Sequence, residues 1–305
     1  MSSCSASIGQ VREILRYPVK SMAAESLAET SATTGRGLIG DRAWALWDVV
    51  AKEIRGAKKI PSLLDCRSRY VEEAQVEASA VVEIDLGKLG RVRSDDSEIS
   101  SQISQKIGRE VQLCPRAPAS ESAHYRRAEP VTDMEREIRE GSALLPEEAL
   151  PDFEELPTDL SIVTEYVSPP GTYFDFFDLH LLSEQSLESL ARRAPESVID
   201  KARFRPNLLV DLEALSTSVS ASNRSADWPE LELVGRILLV GDAELEVVMP
   251  MMRCVMTTHA QPGLPKDPTI MRTLVRDCEM NLGVGIQVQK TGRIRVGDEI
   301  RICEG

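Results

Sequence analysis

One cysteine in this chain is placed where a thiol could react: Cys254 follows Arg253 at the end of the strand-like run that begins at Val248 and leads into Thr257 and Thr258. A positive neighbour favours the thiolate, which is the nucleophilic and metal-binding form of cysteine. No Cys-x-x-Cys pair accompanies it to build a zinc site, so any partner for the sulfur comes from elsewhere in the fold or from a bound group. Two readings stand, a reactive or ligating thiolate and a small buried hydrophobe.

Three further segments carry basic groups in turns. Lys20 and Ser21 follow a strand-like run through Tyr17, and Arg42 closes the turn made by Gly37, Gly40 and Asp41. Glycines admit a phosphate close to the backbone, and Lys and Arg supply the charge. Each is an anion contact or a solvated turn residue. Arg203 and Arg205 are two apart before Pro206 and Asn207, so an extended backbone would send both guanidinium groups to one face, toward a ligand anion or toward the chain's own acids. Asp175 sits among Tyr173, Phe174, Phe176 and Phe177, where burial would raise its pKa, or else it serves in a turn. His180 alternates with Leu179 and Leu181, the pattern of a hydrogen-bonded core histidine.

The elements that must position these groups are mostly strands. Val11 to Leu15, Leu27 to Ser31, Trp44 to Trp47 and Val71 to Ile84 read as strands separated by glycine turns. Ile99, Ile103 and Ile107 mark a helix from Ser97, capped by Asp95, Asp96 or Ser97 and ended by Gly108. From Pro115 to Pro157 the chain is rich in Pro, Glu, Ala and Arg, with a short helix over Asp133 to Glu140, and reads as a surface connection. Ser183 caps a helix carrying Leu187 and Leu190, and Leu208 to Leu212 forms a strand. Ile237 to Val240 and Leu245 to Val248 make a hairpin, and Asp267 with Pro268 starts a helix through Leu274. Strands through Ile286, Ile294 and Ile300 close the chain. Three apolar-Gly-Asp turns, at Gly40, Gly241 and Gly297, are turn chemistry and not a repeat. The expectation is a mostly β, α+β protein of two barrel-like domains over 1–114 and 115–305, with 115–157 connecting them.

Composition narrows the function classes. The chain has 305 residues, 42% of them hydrophobic, and a formal net charge of −13, which argues against binding a nucleic-acid backbone. No window approaches the ~18 apolar residues of a membrane span, no signal-peptide core opens the chain, and a cytoplasmic setting is expected. Six scattered cysteines are expected to be reduced thiols, and three distant histidines make a multi-histidine metal centre improbable.

Taken together, Tyr17 to Ser21, Gly40 to Arg42, Phe204 to Asn207, Arg253 to Thr258 and Gly292 to Asp298 resemble, in order, a MOSC protein with its N-terminal β-barrel domain. MOSC is the domain at the C-terminus of molybdenum cofactor sulfurase, and the two-domain layout is similar to the mitochondrial amidoxime-reducing component and its bacterial relatives. The resemblance implies a molybdenum–molybdopterin cofactor with Cys254 as a protein ligand to the metal. It further implies that Lys20, Ser21, Arg42, Arg205, Asn207 and Arg253 contact the pterin or its phosphate, with Asp175 as an acid that supports the groups around the metal or handles a proton. Pro250, Met251 and Met252 stand where many relatives carry a second cysteine, and the iron-sulfur tail of some bacterial members has no counterpart. Electrons would therefore come from a separate flavoprotein, ferredoxin or cytochrome-type donor.

The function this resemblance implies is reduction of small N-hydroxylated compounds. The alternatives are a sulfur carrier bearing a persulfide on Cys254 and a cofactor-binding protein without turnover.

Overall fold

The computed structural model describes residues 4–150, 160–212, 215 and 227–303. In chain order its strands are β1 (Cys4–Arg16), β2 (Glu25–Leu27), β3 (Glu29–Thr33), β4 (Gly37–Leu38), β5 (Trp44–Asp48), β6 (Glu53–Ile54), β7 (Arg67–Tyr70), β8 (Val82–Asp85), β9 (Arg91–Arg93), β10 (Val111–Pro115), β11 (Leu179–Ser183), β12 (Leu208–Asp211), β13 (Ile237–Val240), β14 (Ala243–Met252), β15 (Asn281–Lys290), β16 (Gly292–Arg295) and β17 (Glu299–Cys303). The helices are α1 (Ile99–Ile107), α2 (Met134–Ser142), α3 (Leu160–Glu165), α4 (Glu184–Arg193) and α5 (Thr269–Cys278). Mostly β with a few helices is the class observed.

β12, β11, β15, β14, β13, β17 and β1 pair in that order, and β12 returns to β1, so seven strands close into a barrel with β2 attached to β1. Closure removes the free edges that an open sheet would expose. Alternation supplies the core: along β14 Ala243, Leu245 and Val247 are buried and Glu244 and Glu246 are not, and they join Val11, Ile14, Leu181, Val210, Leu238, Val284, Ile286 and Ile300 inside. The small sheet β16–β3–β4 also packs on this core through Ala32, Leu38 and Ile294.

A second core lies over 19–111, where the sheets β10–β5–β6 and β7–β8–β9 and helix α1 enclose Val19, Met22, Leu46, Leu63, Ile84 and Ile103. The strand pairing crosses residue 114, since β1 belongs to the barrel and β3 pairs with β16. The reason is register: Val11 and Ile14 face Val210 and Leu208 in the β1–β12 ladder, so their apolar face completes the barrel.

Several elements correct the sequence reading. Residues 71–81 are not strand, and only 67–70 and 82–85 pair. The connection after Pro115 is not merely draped over the surface, because Tyr125 is fully buried with Ala45, Ile54 and Tyr173; its last part, 151–157, lies outside the described residues. Asp133 caps α2 by accepting from Arg136 N at 2.9 Å, and Ser183 caps α4 by accepting from Ser186 N at 3.0 Å. Cys66, Cys114, Cys254 and Cys278 are not in disulfides, whereas Cys303 is disulfide-bonded, on a strand whose register sets it opposite Cys4. Among the described residues no helix is long and apolar enough to cross a membrane.

Candidate functional site

The chain leaves β1 at Arg16, enters β12 at Leu208 and leaves β14 at Met252, so 17–21, 203–207 and 253–254 are turn residues attached to barrel strands. The pairing of Ile14 with Leu208 sets the first two segments side by side. Tyr17 is the platform between them. It is buried, its hydroxyl donates to the Pro206 carbonyl at 3.0 Å, and the guanidinium groups of Arg42 and Arg205 lie 5.0 and 4.2 Å from its ring centroid. Burial pushes its phenol up to about 12, so it stays neutral.

Two acids tie the cluster together. Asp41 is completely buried; it accepts from Tyr17 N at 2.7 Å and from Asn207 Nδ2 at 3.1 Å, and it ion-pairs with Arg42. Lys20 donates to Asp175 Oδ1 at 2.6 Å and to the Tyr173 carbonyl at 2.7 Å. Asp175 keeps 74% of its side chain exposed although it lies within the field of Lys20, Arg42 and Arg205. It is an open carboxylate on a cationic surface. Desolvation would raise its pKa, but Lys20 and then the two arginines prevail and hold it down to about 2, the reverse of the rise expected from its aromatic neighbours.

Ser21, Arg42 and Arg205 have φ of 71°, 47° and 57°, three of the seven non-glycine residues in that region among those described. Such backbones are costly and persist where surrounding contacts enforce them. The left-handed turn at Arg205 also breaks the extended alternation, so Arg203 and Arg205 diverge instead of sharing a face. Arg205 Nη1 donates to the Met22 carbonyl at 2.7 Å, while its Nη2 is buried with no partner. Burial, and then the charge of Arg42, lowers its guanidinium to about 10, so it remains charged at neutral pH.

Arg253 Nη2 donates to the Phe204 carbonyl at 2.6 Å, and its buried Nε has no partner. Cys254 follows as the residue capping the short 3-10 turn Val255–Thr258, half-buried, its carbonyl accepting from Thr257 N at 3.2 Å and Thr257 Oγ1 at 3.1 Å. Met256 of that turn packs on the second core, to which Val19 and Met22, the residues flanking Lys20 and Ser21, also belong. Cys254 is therefore carried at the seam of the two cores.

Lys20, Arg42, Arg205 and Arg253 are thus brought into one field with Asp175. Ser21 and Asn207 are placed differently. Ser21 Oγ accepts from Ala57 N at 2.9 Å, and the Asn207 amide is committed to His180 N, the Leu15 carbonyl and Asp41. Both shape the site through the backbone. Sequence reasoning assigned no task to Tyr17 or Asp41, whose signals are their positions inside the Tyr-Pro-Val-Lys and Gly-Asp-Arg runs, and it read Arg203 as facing an anion or an acid beside Arg205, whereas its guanidinium donates to four backbone carbonyls.

His180 is buried, as its alternation suggested, and its Nε2 meets both the Leu282 carbonyl at 3.3 Å and Arg253 Nη1 at 3.5 Å. A neutral ring serves one of these at a time, donating to Leu282 or accepting from Arg253. Gly283 makes the approach possible, since a Cβ there would fall on the imidazole. Burial, reinforced by Arg253, drives the His180 pKa well below 6.5. The folded chain therefore refuses a proton that the unfolded chain accepts, and stability is lost as pH falls below ~6.5. In urea titrations at pH 7 and pH 5, His180→Gln should lose about 2 kcal/mol less than wild type over that interval. An equal loss in both proteins would place the proton uptake elsewhere.

Donors and charge together suit an anionic group. Four basic side chains face two carboxyl groups, and two buried guanidinium nitrogens await acceptors. No group of three or more His, Cys, Asp or Glu that could hold a metal occurs among the described residues, so a metal here would have to bring most of its own ligands to Cys254.

Comparison with known proteins places the chain in a family. Residues 172–301 match the MOSC domain and residues 8–109 the MOSC N-terminal beta barrel domain. The chain is a MOSC-domain protein carrying that N-terminal domain. It is 31% identical over 142 residues to mitochondrial amidoxime reducing component 2 of Rattus norvegicus, a match that covers 42% of this chain and spans 37% of the relative's length. Among solved structures it is similar to the YUAD protein from Bacillus subtilis, with TM-score 0.43, 10% identity and all of both chains covered. It is also similar to YiiM from Geobacillus stearothermophilus, with TM-score 0.29, 15% identity and 42% and 55% of the two chains covered. Neither structural likeness adds to the fold described above.

Proposed function

We propose that this protein is a molybdenum-cofactor-dependent oxidoreductase that reduces small N-hydroxylated compounds, with Cys254 as the protein's ligand to molybdenum. The observation that carries the reading is the pairing of one half-buried thiol outside any disulfide with a cluster of basic side chains in which Arg205 Nη2 and Arg253 Nε lack partners. Relationship to an amidoxime reducing component supports the substrate class.

When bound, the cofactor supplies a two-electron redox centre held by soft sulfur. Cys254 Sγ offers a donor of the same softness. Arg205 and Arg253 would hold anionic oxygens of the pterin or its phosphate through their unpaired N–H groups, and Lys20 and Arg42 would add charge beside them. Ser21 and Asn207 hold these turns in place from behind. Asp175, ionised at neutral pH, accepts hydrogen bonds and orients a polar N–H or O–H of the substrate; with a pKa of about 2 it is a poor proton donor. Reduction of an N–OH group consumes two electrons and two protons and releases water. We propose that the electrons arrive from a separate flavoprotein, ferredoxin or cytochrome-type donor.

Purified protein should retain molybdenum and reduce benzamidoxime to benzamidine with reduced methyl viologen, while remaining inert with NADH alone. Absence of molybdenum together with no turnover under viologen would overturn the reading, and steady turnover with NADH alone would overturn the electron path.

A further inference from the structure

We infer that Arg203 is a positioning residue for Cys254: it clamps the backbone of the turn that carries the thiol without touching the sulfur. The inference rests on reading Cys254 as the reactive centre.

Arg203 is 1% exposed. Its Nε donates to the Val198 carbonyl at 2.9 Å, its Nη1 to the Thr257 and His259 carbonyls at 3.2 Å each, and its Nη2 to the Pro265 carbonyl at 2.7 Å. Among the described residues no carboxylate ion-pairs with it; Asp267 and Asp200 act only through their fields. A buried charge without a paired carboxylate is expensive unless its hydrogen bonds are satisfied. Here four carbonyl dipoles satisfy them, and three of those carbonyls belong to the segment after Cys254, whose own backbone bonds beyond the 3-10 turn are the isolated bridge between Gln261 and Leu264 and the bond from Asp267 N to the Thr258 carbonyl at 2.8 Å.

The clamp reaches Cys254 through one residue. Thr257, held by Arg203 at its carbonyl, donates from both N and Oγ1 to the Cys254 carbonyl. On the other flank, Arg253 Nη2 donates to the carbonyl of Phe204, the residue after Arg203, and Arg253 N donates to the Met280 carbonyl at 2.8 Å. One dipeptide, Arg203 and Phe204, thus anchors the chain on both sides of the thiol. A reactive group on a turn keeps its geometry only if its supports are rigid, and this is the support the fold provides.

The test uses the full chain purified without cofactor, as wild type, Arg203→Lys and Arg203→Met. Backbone hydrogen exchange is followed in peptides covering 254–265 and 281–290, and iodoacetamide alkylation is resolved by mass at Cys254 and Cys114. Arg203→Met should exchange about tenfold faster in 254–265 with 281–290 unchanged, and should alter the Cys254 alkylation rate several-fold with Cys114 unaltered. Arg203→Lys, which keeps the charge and part of the donor set, should fold and recover part of both differences. Equal acceleration in both peptides would make Arg203 a general core residue and overturn the inference, as would wild-type alkylation of Cys254 in both variants. Neither readout needs molybdenum or substrate, so loss of this inference is distinguishable from loss of the reductase reading.

Discussion

Cys254→Ser should abolish reduction of N-hydroxylated compounds, by roughly a thousandfold or more, while the protein still folds and still holds pterin. The side chain is half-buried on a turn whose hydrogen bonds run through the Cys254 backbone carbonyl, so exchanging sulfur for oxygen leaves Thr257 and the 3-10 turn with their partners. What changes is the donor: a soft sulfur becomes a hard oxygen. Arg42, Arg205 and Lys20 are untouched, and the anion contacts they offer survive the exchange. Molybdenum, pterin and viologen-driven turnover measured on one preparation separate the two effects. Cys114→Ser is the control at a second half-buried thiol. Cys66 and Cys278 are buried and are better replaced by alanine, since a serine hydroxyl there would be desolvated. If the variant instead loses a cyanide-releasable sulfur atom, and wild type carries no molybdenum, Cys254 is a persulfide carrier. Full reductase activity in Cys254→Ser would remove the residue from the mechanism.

That the thiol was legible at all follows from local chemistry. An Arg-Cys pair at a strand end is visible in sequence because nothing but neighbours is needed to read it. The hairpin of β13 and β14, the cap at Ser183 and the left-handed stop at Gly108, φ 69°, are legible for the same reason: alternation, a side-chain acceptor and a missing Cβ all act within a few residues. Closure of the barrel is not of that kind. β1 must find β12 about 200 residues away, and no local pattern states which strand completes the ring. Tyr125 illustrates the same limit: a polar, irregular stretch hides one aromatic whose burial depends on Ala45 and Tyr173, far off in the chain.

The basic cluster was legible in its members and not in its wiring. Lys20, Arg42 and Arg205 are named by turn chemistry, but the extended geometry assumed for Arg203 and Arg205 fails because the Arg205 backbone turns left-handed. One arginine then faces Tyr17 and the other the turn after Cys254. Asp175 reverses for a related reason: its aromatic neighbours are adjacent in sequence, whereas the cations that set its pKa come from other segments. Charge summed in three dimensions outweighs composition read along one.

Arg205→Lys should cost the protein most of its bound cofactor even though the charge is kept. The guanidinium does three things at once: it lies 4.2 Å from the Tyr17 ring centroid, donates from Nη1 to the Met22 carbonyl at 2.7 Å, and leaves Nη2 buried and unpaired. An ammonium is one compact centre on a flexible stem. If it stays on Met22 the anion loses its donor; if it turns to the anion, the Met22 carbonyl is left buried without one. Either way one charge-assisted hydrogen bond goes missing, worth about 1.5 to 3 kcal/mol, or roughly ten- to a hundredfold in retention. Arg205→Met should fall further, because the charge goes as well. Pterin released on denaturation, measured per mole of protein after extensive dialysis, gives the retention directly. The order expected is wild type, then lysine, then methionine, with Tm changing far less between lysine and wild type than retention does. Undiminished pterin in Arg205→Lys would show that the unpaired nitrogen does not face the cofactor, and the anion site would then rest on Lys20, Arg42 and Arg253.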